Sequence, residues 1–247
     1  MENINDSYFD GYYKDIWRSI IPDELTIKEV DFMLSHFGLQ PGNKILDLMC
    51  GYGRHAIALA KKGMKVTAVD NLSDYINEVK QAAEKENLPI TTEQANVATY
   101  EPDEMFDLVI CMGNSLNFFN ADDTLRLLRN ITTHLKKGGH LLINSWSIAE
   151  IAIKTFKDKS WSSVGDKKFL VDCKYLFHPT RIESTHLILT PDGKTETKTG
   201  IDYIFSVNEI EMMLNQTGFT LKELYSIPGK KKFTVGEPRA YLVAEKI

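Results

Sequence analysis

The stretch Ile45-Leu46-Asp47-Leu48-Met49-Cys50-Gly51-Tyr52-Gly53-Arg54-His55-Ala56 puts a carboxylate four residues ahead of a glycine pair. Apolar residues before it and a helical pattern after it make a strand, a glycine loop and a helix start. That arrangement exposes backbone N–H groups at the carboxyl edge of a sheet. Gly51-x-Gly53-x-x-Ala56 formally fits the dinucleotide fingerprint, and Asp70 closes the next apolar run, where an acid for ribose hydroxyls belongs. A bare glycine match is weak, and Asp47 is what discriminates. A carboxylate there repels a pyrophosphate seated on the loop and favours a ligand with a cationic end, such as an ammonium beside a sulfonium. S-adenosylmethionine (SAM) has that charge arrangement and no phosphate, so the pattern argues for SAM over NAD. An isolated Asp is more often a solvated loop residue or a helix cap. Two acids at successive strand ends around one glycine loop make that the weaker reading here.

The elements that must carry this loop follow from periodicity. Thr26 and Glu29 have the spacing of a capping box, Ile27, Val30, Leu34 and Phe37 recur at helical intervals, and Gly38 stops the run. Strands are expected at Lys44–Leu48, Lys65–Val69, Pro89–Glu93, Phe106–Cys111 and His140–Asn144. Helices are expected between them at Arg54–Lys62, Tyr75–Lys85 and Asp122–Lys136. Regular alternation of this kind means βαβ crossovers and a parallel sheet covered on both faces. The pattern then changes to three strand-like runs, Phe169–Phe177, Arg181–Thr190 and Thr195–Phe205, with Ile182, Ser184, His186 and Ile188 on one face. A second capping box, Ser206 with Glu209, opens a helix ended by Gly218, and strands Phe219–Ile227 and Arg239–Glu245 close the chain. The expected fold is α/β, a doubly wound sheet. A small antiparallel β cap is inserted between strands five and six. The chain reads as one domain over 1–247, with a helical lid at 1–40 and the cap at about 147–205.

On these residues the chain resembles the class I SAM-dependent methyltransferases, and more narrowly their bacterial small-molecule-type branch, whose first loop reads L-D-x-x-C-G-x-G-R-H. The likeness is carried by Leu46-Asp47 through Gly53-Arg54-His55, Val69-Asp70, Phe106-Asp107-Leu108-Val109, Leu135 through Gly139, Leu214 through Gly218-Phe219, and the Tyr-rich start Tyr8-Phe9-Asp10-Gly11-Tyr12-Tyr13. The resemblance implies that Asp47, Met49, Cys50, Gly51, Gly53 and Arg54 surround the methionine end of SAM, Asp70 and Asn71 the ribose, Asn96 and Val97 the adenine. It implies a Rossmann-like, seven-stranded sheet with an antiparallel last strand, and makes Met112 the floor under the methyl donor and Tyr13, or alternatively Tyr12 or Trp17, a lid over it. Three departures stand out: Met49 replaces the usual first loop glycine, Asn96 replaces the usual adenine-binding Asp, and Gly200 through Phe205 lacks a His and an Arg that relatives often carry there.

Methyl transfer to nitrogen or oxygen needs alignment, a dry pocket and sometimes a base. The catalytic candidates are Asn114, His178 and Tyr203, with Trp146 and His186 behind them. A packed or pocket-wall role is the commoner fate of each. The sequence Met112-Gly113-Asn114-Ser115 is not the Pro-Pro loop that methylates exocyclic amines of bases, and no Pro-Cys dipeptide offers a nucleophile for cytosine carbon-5. With 29 Lys+Arg against 34 Asp+Glu, the net charge of −5 argues against a protein that grips phosphate backbones or anionic membranes. Three cysteines without CxxC spacing make a disulfide framework or zinc site an unexpected outcome, and no His/Cys spacing suggests a metal. No apolar run approaches the roughly 20 residues of a membrane span. The polar start Met1 through Asp6 carries no visible signal peptide, so the cytoplasm is the expected compartment. The expected activity is SAM-dependent N- or O-methylation of a small-molecule acceptor. The alternatives are an NAD(P)-dependent oxidoreductase and a non-catalytic SAM-binding module.

Overall fold

The computed structural model describes residues 3–247. Met1 and Glu2, where the expected lid and the polar start begin, lie outside the described residues. Two helices, α1 (Gly11–Ile20) and α2 (Asp23–His36), precede the sheet. The central strands are β1 (Lys44–Leu48), β2 (Lys65–Asp70), β3 (Ile90–Gln94), β4 (Phe106–Cys111) and β5 (Leu135–Ser145), joined by α3 (Arg54–Lys61), α4 (Ser73–Glu86) and α5 (Ala121–His134). After α6 (Ala149–Thr155) come four cap strands, β6 (Lys159–Val164), β7 (Lys167–Phe177), β8 (Thr180–Leu189) and β9 (Thr195–Tyr203). The chain then returns to the central sheet through α7 (Val207–Gln216), β10 (Phe219–Ile227), the two-residue β11 (Lys231–Lys232) and β12 (Ala240–Lys246).

The central sheet runs β11-β10-β12-β5-β4-β1-β2-β3, so β11 adds a short edge to the expected seven strands. The last strand, β12, is antiparallel to both β5 and β10, as expected. Strand β1 is buried from Ile45 to Leu48 because helices cover both faces, which is why it reads as a continuous run and not an alternating one. It pairs in parallel with β2 on one side and β4 on the other. The chain reverses direction of winding between those neighbours, and the carboxyl ends of β1 and β4 therefore border a crevice. Asp47 and the glycine loop stand at that crevice.

Two expectations are corrected. Helix α2 begins at Asp23 behind Pro22, so Thr26 and Glu29 sit inside the helix and form no capping box. Its buried stripe is Thr26, Glu29, Val30 and Met33, while Ile27 is 56% exposed. Thr26 and Glu29 take inward positions where Ile27 was expected, while Val30 is buried and Leu34 and Phe37 pack on the core as the apolar pattern indicates. The cap has four strands, because β6, reading Lys-Ser-Trp-Ser-Ser-Val, is an exposed edge with too little apolar alternation to declare itself. The second capping box is present: Ser206 Oγ accepts from Glu209 N and Glu209 Oε2 accepts from Ser206 N.

Gly53 ties the loop to the helices. Its φ is +75°, and a Cβ built there would lie 2.5 Å from Cγ2 of Val79 on α4. A side chain would be strained in backbone and clash with a buried Val. Gly53→Ala is expected to lower stability by about 1–3 kcal/mol in urea unfolding, and Val79→Ala in the same chain is expected to recover part of that loss. Additive losses would overturn this account of Gly53.

Candidate functional site

A cavity of about 970 Å³, counting its open mouth, lies over the carboxyl ends of β1, β2 and β4. Its floor and near wall come from the glycine loop: Asp47, Met49, Cys50, Gly51 and Arg54 all line it. From the end of β2 come Asp70 and Asn71, from the segment after β3 Asn96 and Val97, and from the end of β4 Met112. Ten of the twelve residues expected around a cofactor thus meet in one cavity. Gly53 is one step removed, packed on α4. Tyr13 is a correction: its ring turns away and packs against Tyr8, Phe169 and His186 on the cap. The lid residues that reach the cavity are Phe9 and Trp17, with Asn3, Asn5 and Asp6 from the segment ahead of them. Helix α1 is amphipathic, and the face holding Tyr13 and Ile16 is the one claimed by the cap, which leaves Trp17 for the cavity. Tyr12 serves the cap as well, donating its N–H to Glu196 on β9.

The loop geometry opens space at the cavity wall. Met49, Gly51 and Gly53 all have positive φ. A Cβ on Gly51 would meet no atom within 4 Å, so the missing side chain opens room at the cavity wall. Asp70 holds the loop: its Oδ2 accepts from Gly51 N at 2.9 Å and its Oδ1 from Leu72 N at 3.0 Å. Burial pushes its carboxyl up, and these backbone N–H groups hold it partly down. Asn71 Nδ2 donates to Asp6 O at 3.0 Å, which staples the lid to the same turn.

Asp47 is 1% exposed, and its Oδ2 is buried without a hydrogen-bond partner. Burial pushes its carboxyl up to about 7, with Asp70 adding to the shift and Arg54 and the Ala56 N–H opposing it. A buried acceptor left unmade costs about 1–3 kcal/mol, so this oxygen is a standing demand for a donor from the cavity.

Beneath the loop lies a cluster that spacing alone did not reveal as such. Glu29 Oε2 accepts from Arg54 Nη1 at 2.6 Å and pairs with His55 Nε2 at 2.9 Å. Its Oε1 accepts from Tyr241 OH at 2.7 Å, and Arg54 Nη1 also reaches Thr26 Oγ1 at 2.9 Å. Burial alone would raise the Glu29 carboxyl, but His55, Arg54 and Tyr241 together pull it down to about 2. Burial and the neighbouring Arg54 lower the His55 imidazole, against the opposing pull of the Glu29 carboxylate. Glu29 thereby fixes Arg54 and His55, both wall residues, from behind. The signal available in sequence was an acid on an inward helical position, four residues before Met33.

The catalytic candidates separate clearly. Asn114 is a buried hub next to the cavity. Its Oδ1 accepts from Ser145 Oγ, Trp146 N and Ser147 N, while its Nδ2 donates to Ser147 Oγ and Asp202 Oδ1. His178 lies exposed at the β7–β8 turn, away from the cavity. Tyr203 packs on the main core and its carbonyl accepts from Asn117 Nδ2. His186 is buried against Tyr8, with Tyr8 OH 2.6 Å from its Nδ1. Trp146 packs against Trp17 at 5.4 Å between ring centres.

Similarity to known proteins agrees with this geometry. The model of a family described as a methyltransferase domain matches residues 45–139. A protein of Bacillus subtilis (strain 168) named as a methyltransferase, YqeM, is 30% identical over 218 residues, covering 80% of this chain and 79% of that protein. The chain belongs to the class I SAM-dependent methyltransferases. A second relative named as a methyltransferase, from Geobacillus sp. (strain WCH70), is 28% identical over 239 residues, covering 94% of this chain and 92% of its own. Among solved structures, a SAM-dependent methyltransferase from Clostridium acetobutylicum superposes with a TM-score of 0.82 at 17% identity, over 95% of this chain and 96% of that one. SAM-bound CalS10, an amino pentose methyltransferase from Micromonospora echinaspora, does so with 0.72 at 16% identity, over 96% and 98%. SAM is the cofactor of this methyltransferase, and an NAD(P)-dependent oxidoreductase is excluded by the family. Among the described residues, no helix is long and apolar enough to cross a membrane.

Removing Glu29 tests the support beneath the wall. Glu29→Ala leaves Arg54 and the Tyr241 hydroxyl without their buried partner and is expected to cost about 3–5 kcal/mol at pH 7. The Glu29 carboxyl is held below its unfolded value, so this contribution is complete above the ordinary carboxylate range near 4.5 and fades as pH falls toward 2. Urea unfolding of both proteins at pH 7 and pH 3 is expected to show a smaller gap at pH 3. An undiminished gap would refute the ionised assignment.

Proposed function

We propose that this enzyme transfers the methyl group of SAM to nitrogen or oxygen of a small-molecule acceptor, with the whole chain working as one unit of cofactor sheet, lid and cap. The observation that carries this reading is the orphaned, buried Oδ2 of Asp47 inside a cavity at the switch point of the sheet. SAM supplies a methyl group already activated on a sulfonium, so the chain's tasks are binding, orientation and exclusion of water. Asp47 receives the cationic amino acid end. Asp70 keeps free lone pairs on both oxygens after accepting from Gly51 and Leu72, enough to accept from two ribose hydroxyls. Asn96 and Val97 border the adenine, and an amide oxygen at Asn96 can still accept from an amino group. Arg54, held from behind by Glu29, serves the carboxylate end. Met112 and Gly113 form the floor, while Phe9 and Trp17 close the other side, in the place given to Tyr13 by resemblance.

The four-stranded cap supports a small acceptor. Its inner face packs on the N-terminal segment through Tyr8, Tyr13 and Ile188, which favours an enclosed acceptor side over one open to a duplex or a protein tail. The same architecture serves an amino pentose acceptor in the Micromonospora protein named above.

The cofactor site is tested by calorimetric SAM titration of Asp47→Asn, Asp47→Ala and Asp70→Ala. Each is expected to weaken SAM binding by about 1–3 kcal/mol for a lost charge-assisted hydrogen bond. A cation beside Asp47 favours its charged form, so binding near pH 6.5 is expected to expel a proton from this carboxyl and to tighten as pH rises through 7. Titrations in buffers of different ionisation enthalpy read that proton, and Asp47→Asn is expected to abolish its release. Because burial raises the ligand-free carboxyl, its ionisation opposes folding. Asp47→Asn is therefore expected to be more thermostable than the parent at pH 8 and less distinguishable at pH 5. Unchanged SAM affinity in all three variants would overturn the assignment.

A further inference from the structure

Helix α4 starts three residues after Asp70, so what docks on its first two turns is held in register with the cofactor edge of β2. Asp74, Tyr75, Glu78 and Val79 share one side of that helix. Each reaches either the glycine loop or the N-terminal segment. Val79 fills the space beside Gly53, and the Tyr75 hydroxyl donates to Phe9 O at 3.2 Å. Asp74 Oδ2 lies 3.9 Å from Lys14 Nζ, and Glu78 Oε1 accepts from Arg18 Nη2 at 2.6 Å. Two acids one turn apart on α4 thus face two cations one turn apart on α1. The Arg18 guanidinium also lies 4.6 Å from the centre of the Tyr52 ring, and Tyr52 lines the cavity from its place between Gly51 and Gly53. Around α1 the side chains follow in the order Ile16, Tyr13, Trp17, Lys14, Arg18. The first two are buried in the cluster shared with the cap, and the last two pair with α4. Trp17, between them, lines the cavity, with its ring 4.0 Å from where a Cβ of Gly113 would stand. The rotation of α1 about its own axis decides where Trp17 points. Apolar packing fixes that rotation from one flank and charge fixes it from the other.

We propose that Lys14 and Arg18 are positioning residues for SAM: paired with Asp74 and Glu78, and with Arg18 over Tyr52, they seat α1 so that Trp17 walls the cofactor. Neither side chain lines the cavity, so both act through Trp17 and Tyr52. The inference rests on the reading of this cavity as the SAM site. A single exposed ion pair contributes little. Here two pairs and a cation over an aromatic ring act on one flank of one helix, where their effects on its orientation add. All four charged side chains are at least a quarter exposed, so dissolved salt screens them. When the pairs are broken, α1 keeps its apolar contact with the cap and the sheet keeps its core. The loss therefore falls on cofactor affinity and leaves the unfolding of the chain nearly untouched.

The test uses the full chain, with SAM binding read by calorimetry and thermal unfolding of the ligand-free protein read beside it. Arg18→Glu is expected to weaken SAM binding at least about threefold, and Lys14→Glu with Arg18→Glu at least about tenfold, with little change in melting temperature. Arg18→Glu combined with Glu78→Arg restores the pair in reverse and is expected to bind SAM more tightly than either single variant. Arg18→Lys keeps the charge and loses the flat face over Tyr52, so an intermediate affinity is expected. Raising sodium chloride from about 0.05 to about 0.5 M is expected to weaken SAM binding more in the parent than in Lys14→Ala with Arg18→Ala, whose pairs are already gone. Lys61→Glu breaks an exposed pair with Glu86 at the far end of α4 and serves as the control, with parental affinity expected. Parental SAM affinity in the Lys14→Glu, Arg18→Glu protein would overturn the proposal. So would a reversed pair that binds no better than the single variants, or a Lys61→Glu protein that loses as much affinity as Arg18→Glu. Absence of SAM binding in the parent, or unchanged affinity in Asp47→Ala, would instead overturn the reading of the cavity.

Discussion

Burying a carboxylate costs several kcal/mol unless something of opposite charge or a set of donors comes with it, and this constraint organises the molecule. Glu29 and Asp47 are each 1% exposed, yet they meet the constraint in opposite ways. Glu29 carries its own partners, Arg54, His55 and Tyr241, drawn from a loop helix and from the last strand. Asp47 has one oxygen left over, and nothing in the fold supplies it. The first acid welds α2, the start of α3 and β12 into the back of the site. The second leaves a demand at the front that only a bound molecule meets. Arg54 is engaged with Glu29 and Thr26 and makes no hydrogen bond to Asp47 Oδ2.

The glycine loop shows the same division between support and reception. Gly53 has no side chain because Val79 occupies the space, whereas Gly51 has none although the space is open. One glycine is required by packing and the other by what approaches it. Met49, at φ +56°, bears the left-handed conformation with a side chain, at a cost of roughly 1–2 kcal/mol. Its thioether chain packs against the main core while it lines the cavity, and that burial offsets the strain. A long, unbranched residue is the kind best able to follow such a bend.

The sheet and the loop were legible because their signals are local. Apolar runs of five or six residues, glycines at turns and acids at strand ends mark β1, β2 and β4 and bring Asp47, Asp70 and Met112 to one edge. What sequence reading missed is long-range. Glu29 meets Tyr241 across 212 positions, and it takes an inward place on α2 within the apolar stripe. Tyr13 was a reasonable lid residue until the cap strands, some 170 positions later, claimed its face. Strand β6 is nearly all exposed and thus left no burial pattern to read. Asp202 lay in a run already marked as strand, but only the register with β8 and the reach of Asn114 show which way it faces.

The N-terminal segment and the cap are joined by a set of polar contacts. Asn5 is the pin: its Nδ2 donates to Phe118 O and Ile201 O, and its Oδ1 accepts from Ile201 N. It joins the lid to the end of the β4 loop and to β9 at once. Around it, Asn3 donates to Phe118 O, Asn71 donates to Asp6, and Lys198 pairs with Asp10. Each such hydrogen bond contributes only about 0.5–1.5 kcal/mol net, because water competes for the same groups. The apolar part of the contact comprises Tyr8, Tyr13, Ile16 and Ile188 with their partly buried neighbours, together with Phe9 on Phe118 and Trp17 on Trp146. On the other side of the cavity wall the Glu29 network, built from buried partners, holds Arg54 and His55 from behind.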